Sequence, residues 1–393
     1  MNEGQGVTTT ARTLSARWLN LGKPIDAKTI PEALEQSGLN WTVSKRPLVT
    51  TNDLPVYKEI GDGKKRMNPE LMNTHGLELN RELHRAIGNL LSLPDDEATW
   101  EEVKEIHEKL ENPFIPMTSK FAIVRDDTNR PLGVMGAGYN PIPNAECLEI
   151  ISTLINQEKV TLERAGTFNQ GANVWVIARI PGSLTIGHDV LDQFIRISWA
   201  HDGSEKLSAT FLAYLSRDNV QISPKLPDAK ASFEIRHTLL AKDRIKVAEK
   251  ILASGETYFS QVQDKLNELA GTPFSNDDME KYLNFLFDIE TDPKKIKLDK
   301  DGFPKVTRNH KNKERVMDIF KETDETTMGH TKYAAFLAVA HWTDQEKSIR
   351  FTGEAESKHD EEIQRNEARM QGLWMKSGSA FKIKEQAFAA IIK

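Results

Sequence analysis

The sequence predicts an α+β fold: a strand-rich antiparallel central module with flanking helices, a long amphipathic helix behind it and a helical C-terminal region. Three observations predict it. Alternation of apolar and polar residues with period two is concentrated between Ser119 and Thr238. From Leu239 to about Leu269 the period turns helical, with Ile245, Ala248, Ile251, Leu252, Val262, Leu266 and Leu269 near one face. Helical patterns then recur at 277–286, 311–321, 331–342 and from Ser379. A chain of 393 residues exceeds one average domain. It divides into an N-terminal helical and extended region (1–118), a central sheet module with its long helix (119–270) and a helical C-terminal region (271–393) containing a basic linker at 294–315.

In chain order, residues 1–10 read as a disordered lead, 11–20 as a short helix and 30–38 as a second one with glycine near its end. Residues 39–50 are extended, with 54–60 as the expected hairpin partner, and 66–115 is mostly helical. Thr99 and Glu102 have the spacing of a capping box there. Two short strands around the turn Asp126–Asn129 form a hairpin. Asn144 is placed to cap a helix whose apolar face is Leu148, Ile151, Leu154 and Ile155. Strands follow at 161–167, 173–180, 193–199, 207–215 and 232–238, the third and fourth of these joined by an Asp202-Gly203 turn. A break in the long helix is expected near Gly255.

Composition narrows the function. Net charge is −6, and mean hydropathy is −0.51 with pI near 6.0. That excludes a uniformly basic coat but leaves room for a local basic groove. A single cysteine, Cys147, rules out a disulfide framework or a cysteine zinc site and fits a reducing cytoplasm. It lies on a helical apolar face, as a packed thiol. No charged start followed by an apolar run marks a signal peptide, and no segment is apolar enough to span a bilayer. The expectation is a cytoplasmic protein without membrane contact.

No enzymatic motif stands out. Gly61-Asp62-Gly63-Lys64-Lys65 lacks the spacing and hydroxyl residue of a P-loop. The histidines have no zinc-ligand spacing, and no nucleophile elbow is present. Pro94-Asp95 with Glu102-Val103-Lys104 has the residue types of a nuclease set, but a helix is the wrong scaffold for it. His188-Asp189 and His201-Asp202 are loop pairs whose structural reading outweighs an acid/base one. Neither a cofactor nor a metal is expected.

The strands carry more. Val174, Val176, Ala178 and Ile180 share one face of their strand, opposite Trp175, Ile177 and Arg179. The next strands repeat the pattern with Phe194 and Arg196, then with Glu234 and Arg236. One face is core; the other collects Arg179, Arg196 and Arg236 with Trp175. Such a face suits single-stranded DNA, because guanidinium groups neutralise phosphate and rings stack on bases. A solvated face with charges for solubility is the plainer alternative. Residues 294–315 hold nine Lys/Arg against three Asp/Glu, either a flexible connector or a nucleic-acid contact. The acidic run 354–362 reads as a solvated helix face.

The motif series from Phe121–Asp126 through Leu132-Gly133-Val134 and Gly138–Asn144 resembles a phage- and plasmid-encoded family with a domain of unknown function. It continues through Ala165-Gly166, Val174–Gly182, His201–Ser204, Ile235–Thr238 and the small-residue tract Ser377–Ala380. This chain has Ser216–Val220 where that family carries a Cys-x-Asn-Thr-like segment, and retains only Asn219. The succession of elements is similar to single-strand annealing proteins of the RecT and Erf types. That likeness implies ATP-independent annealing of single-stranded DNA in recombination or replication, by a homo-oligomeric ring or filament. It also implies that Lys120, Arg125 and Arg217 join Arg179, Arg196 and Arg236 on the phosphates, with no bond-making residue. A protein-interaction or host-takeover factor is the alternative, and an enzyme with an unrecognised site the third.

Overall fold

A computed structural model describes residues 22–50, 57–59, 65–67, 115–156, 159–234, 241–300, 302–322, 329–349, 357–375 and 378–393. Strand β1 (Lys23–Pro24) leads into helix α1 (Ile30–Ser37). Thr29 accepts a hydrogen bond from the Glu32 amide at the start of α1, where Pro31 gives up an N–H that has no helical partner. Gly38, at φ 72°, closes the helix in the left-handed conformation that glycine adopts without steric cost. Thus the helix expected at 30–38 forms with its glycine stop.

Strands β2 (Val43–Thr50), β3 (Tyr57–Glu59), β4 (Lys65–Met67), β5 (Ile115–Arg125) and β6 (Arg130–Gly136) follow. The expected pairing of 39–50 with 54–60 does not form. β2 runs antiparallel to β5, and β3 pairs with β4. The long β5 offers β2 a ladder that the three residues of β3 cannot. Asp126 fastens this pairing, accepting hydrogen bonds from Thr42, Ser44 and Arg46. The 66–115 stretch, expected to be helical, has strand at both described ends. Its interior, with the Thr99 cap and the nuclease-like residues, lies outside the described residues, as does 11–20. The β5–β6 hairpin forms as expected, with Asn129 at φ 56° in its turn.

Helix α2 (Asn144–Asn156) begins at the expected asparagine, but Asn144 does not cap it. Its buried side chain donates to the carbonyls of Leu39 and Trp41 and accepts from Trp199 and His201. Satisfying four groups inside the core outweighs satisfying one amide at a helix end.

Strands β7 (Thr161–Phe168), β8 (Asn173–Ile186), β9 (Asp189–Ala200), β10 (Ser208–Leu215), β11 (Val220–Ile222) and β12 (Ser232–Glu234) build the central sheet. Its seven strands run β1-β7-β8-β9-β10-β11, with β12 also on β10, and every pairing is antiparallel. One face, carrying Val174, Val176, Ala178, Ile195, Ile197 and Phe211, joins the main core with helix α3 (Ala241–Ala270) through Tyr258, Phe259, Val262 and Leu266. The break expected at Gly255 is absent, and α3 is continuous. A Cβ at Gly255 would stand 2.8 Å from the Phe211 ring, so this glycine admits the sheet to the helix surface.

Five further helices complete the chain: α4 (Asn276–Leu286), α5 (Arg308–Glu322), α6 (Lys332–His341), α7 (Lys358–Trp374) and α8 (Ser379–Ile391). From Tyr333 to Ala340 every residue of α6 is buried, which makes it the central helix of this half. A π turn, Trp342–Glu346, extends it. The acidic run 354–362, read as a solvated face, overlaps only the first residues of α7. The C-terminal half of that helix delivers Met370, Leu373 and Trp374 onto the second face of the sheet, against Phe168, Trp175, Ile177, Phe194, Leu212 and Tyr214. The sheet is therefore covered on both sides. No helix among the described residues is long and apolar enough to cross a membrane.

Candidate nucleic-acid interface

The Arg/aromatic face expected to be open lies beneath α7 and α8. Trp175 is 2% exposed, with the Trp374 ring edge-on at 5.1 Å. Arg196 is 6% exposed. It lies under that same indole, 5.0 Å from the ring centre, and donates to the Trp374 carbonyl at 3.2 Å. Arg179, at the margin, bonds Glu163 at 2.6 Å and Asp192 at 3.1 Å and stacks over Phe194. Burial works against its charge, yet the two carboxylates overcome it and hold the guanidinium above the ordinary arginine pKa.

The other expected contacts divide similarly. Arg125 grips Asp127 through two hydrogen bonds and lies 4.4 Å from the Trp41 ring centre. Arg217 pairs with Asp189, a nearly buried carboxylate that also accepts the Tyr333 hydroxyl at 3.1 Å. Burial raises the pKa of Asp189, and Arg217 and Tyr333 only partly offset it. So Asp189 of the His188-Asp189 pair ties β9 to α6. His201 of the other pair is a core histidine, held by Asn144. Cys147 is fully buried, and burial raises its pKa. Lys120 is in β5, and Arg236 lies outside the described residues. The structure thus brings Arg196 and Trp175 together under a shared lid, while Arg125, Arg179 and Arg217 each hold carboxylates of their own.

Uncommitted cations lie elsewhere, in the segment read as a connector. Leu298 bridges Pro304, Asp299 N donates to the Phe303 carbonyl at 2.7 Å, and Lys305 N donates to the Lys297 carbonyl at 2.8 Å. The Asp299 carboxylate accepts from Phe303 N, and Gly302, at φ 83°, makes the turn. This small hairpin holds Phe303 67% exposed. Lys294, Lys297, Lys300, Lys305 and Arg308 are also exposed, and none makes an ion pair among the described residues.

From Arg308 the hairpin opens onto a cleft of about 630 Å³ between the ends of α4, α5, α7 and α8. Asn309, Asn312, Trp342, Lys347 and Ser379 line it with Arg308. Lys347 follows the π turn and donates to the Ser379 hydroxyl at 2.8 Å. Burial depresses its pKa, and the nearby guanidiniums of Arg308 and Arg369 depress it further. Arg308 and Lys347 share this concave surface with the Asp288 carboxylate, while Arg369 bonds the Asp344 and Lys347 carbonyls, and the net positive charge left on the lining favours an anion. Arg315, bidentate on Glu346 at 2.7 Å, fastens the π turn to α5. Among the described residues no group of His, Cys, Asp and Glu could hold a metal ion.

The sequence held one readable signal for this hairpin. Asp301-Gly302 repeats the turn step recognised at Asp202-Gly203, with Phe303 directly after it. Lys347 and Arg369 had none, because folding alone brings them to Arg308.

The family described as a domain of unknown function, DUF932, matches residues 131–374. The chain belongs to the DUF932 family. Its DUF932 span runs from the second residue of β6 to the last of α7. It therefore includes the central sheet apart from β1, the lid residue Trp374, the basic hairpin and both cations that line the cleft. Ser379, Phe381 and Lys384 of α8 fall outside it. No curated protein and no solved structure matches the chain.

Proposed function

We propose that this chain binds single-stranded nucleic acid, with DNA as the substrate, along the 294–308 hairpin and the adjoining cleft lined by Arg308 and Lys347. The observation that carries the reading is Phe303, held in solvent at the tip of a hairpin where Lys294, Lys297, Lys300 and Lys305 make no ion pair among the described residues. Backbone phosphates satisfy such lysines, and an exposed ring stacks on a base without reading its identity. The sheet arginines are less suited, since each must first break an ion pair or leave the core. The likeness of its element order to single-strand annealing proteins of the RecT and Erf types supplies the rest of the proposal: ATP-independent pairing of complementary strands in recombination or replication, by an assembly of several copies.

The test is fluorescence anisotropy of a labelled single-stranded oligonucleotide titrated with the full chain across a salt series. Changing Lys294, Lys297, Lys300 and Lys305 together to alanine removes about four phosphate contacts and flattens the log–log salt slope by about 2.8. Phe303→Ala weakens binding by about 1–3 kcal/mol and leaves the slope unchanged. Wild-type affinity and slope in both variants would defeat the proposal.

Leu298 and Val306, 59% and 61% exposed on the same hairpin, favour a second reading. With Phe303 they form an apolar edge of the kind that docks another protein. Absence of oligonucleotide binding at low salt, with a protein partner lost on Phe303→Ala, would select it.

A further inference from the structure

Arg196 makes no ion pair with a carboxylate among the described residues. Among the described residues, the carbonyl and ring of Trp374 contact its guanidinium, and its Nε proton finds no acceptor. Glu205 acts on it only at a distance. A buried cation left in this state is costly, and native proteins rarely keep one without compensation. Burial pulls its pKa down to about 10, so it remains charged at neutral pH.

Arg196 lines a cavity of about 50 Å³ between the sheet and the C-terminal helices. Thr210, directly opposite Arg196 on β10, lines it as well, with Gln221, Trp374, Lys384 and Glu385. Two of these are already engaged. The Lys384 ammonium bonds both oxygens of buried Asp344, at 2.8 and 2.9 Å, and the Gln221 amide oxygen accepts from the Trp374 indole at 2.7 Å. Glu385 makes no ion pair with Arg196 among the described contacts. The polar groups left over are thus the Arg196 guanidinium and the Thr210 hydroxyl on the sheet wall, with the Glu385 carboxylate on the helix wall.

We propose that this cavity is a binding site for a small oxyanion, such as inorganic phosphate or a short carboxylate, held by Arg196 and Thr210. Its size admits one such ion and no nucleotide. The anion would complete the contact between the sheet and α7/α8, so occupancy would stabilise the lid over the second face. This inference is independent of the nucleic-acid reading, because Arg196 lies under Trp374 and away from the hairpin.

The experiment is thermal unfolding of the full chain titrated with phosphate and, separately, acetate, at ionic strength fixed with sodium chloride. Wild type is expected to show a saturable rise in Tm with at least one of the two anions. Arg196→Met abolishes the rise. Thr210→Val, which keeps the side-chain shape, raises the half-saturating concentration about tenfold, as loss of one bond to a charged group does. Glu385→Gln removes a like charge from the cavity wall and lowers that concentration. Should Arg196→Met fail to fold, the Thr210 and Glu385 variants decide. No saturable rise in wild type, or equal rises in wild type and variants, would overturn the site. So would a loss of stability in Glu385→Gln without tighter binding, since Glu385 would then be the counter-ion of Arg196.

Discussion

Trp374→Ala tests whether the C-terminal helices seal the second face of the sheet. The indole meets Trp175 at 5.1 Å and Phe168 at 5.8 Å, stands over Arg196, and donates to Gln221 at 2.7 Å. Truncating a buried aromatic of this size costs about 3–5 kcal/mol in lost transfer and cavity terms. The Gln221 oxygen then loses its donor inside the protein, which adds about 1–3 kcal/mol. Trp374→Phe separates the terms: it retains most of the ring contact and shows mainly the hydrogen-bond loss. Urea unfolding, with the midpoint and m-value of each variant, gives both differences. A change within about 0.5 kcal/mol for Trp374→Ala, the range of ordinary surface substitutions, would refute the sealed face.

Three further outcomes follow from the core. Gly255→Ala should destabilise the protein by about 1–3 kcal/mol through contact with Phe211, where an open helix position would gain about 1 kcal/mol; chemical denaturation reads the sign. His201 titrates near 4 because it is buried, against an ordinary 6.5. Its folded pKa is depressed, so its contribution is fully present above pH 6.5 and lost as pH falls to about 4, by about 3 kcal/mol at most. Unfolding free energies across that window in wild type and His201→Gln check it, the variant showing the shallower slope. Lys384→Met strands the Asp344 carboxylate, whose pKa burial already raises, and should cost about 3–5 kcal/mol at neutral pH. That deficit shrinks as pH falls and Asp344 takes up a proton, which stability measurements at pH 7 and pH 5 would show.

The strands and the long helix were legible because burial on one face imposes a period on sequence. β7 to β10 were readable from alternation, and α3 from its stripe of Val262, Leu266 and Leu269. What covers the other face was not legible. Arg179 and Arg196 in polar positions look the same whether solvent or Trp374 lies above them, since alternation records only that the two faces differ. The signal was present but remote: Phe194, Leu212 and Tyr214 are too apolar for an open face, and Met370, Leu373 and Trp374 needed a destination. Partner choice among strands failed for a related reason. β2 and β5 lie more than sixty residues apart, and nothing local in either names the other. The π turn at Trp342–Glu346 and the cations beside it depend on packing that no local pattern encodes.

Whether a cation serves the fold or a ligand depends on what it already holds. Arg125, Arg179 and Arg217 sit among carboxylates that orient them, and a phosphate must compete with those partners at nearly equal geometry. Such arginines add specificity to the fold and little to ligand affinity. Lys297, Lys300 and Lys305 are exposed and make no ion pair among the described residues, so a polyanion gains counter-ion release from them without breaking such a pair. Arg196 belongs to neither group: it is buried like a structural residue and unneutralised like a binding one. The same β9 strand therefore carries a cation that pairs with no carboxylate among the described residues, two residues from Phe194, over which the doubly paired Arg179 is stacked. That difference in pairing, rather than the residue type, separates the anion cavity from the scaffold around it.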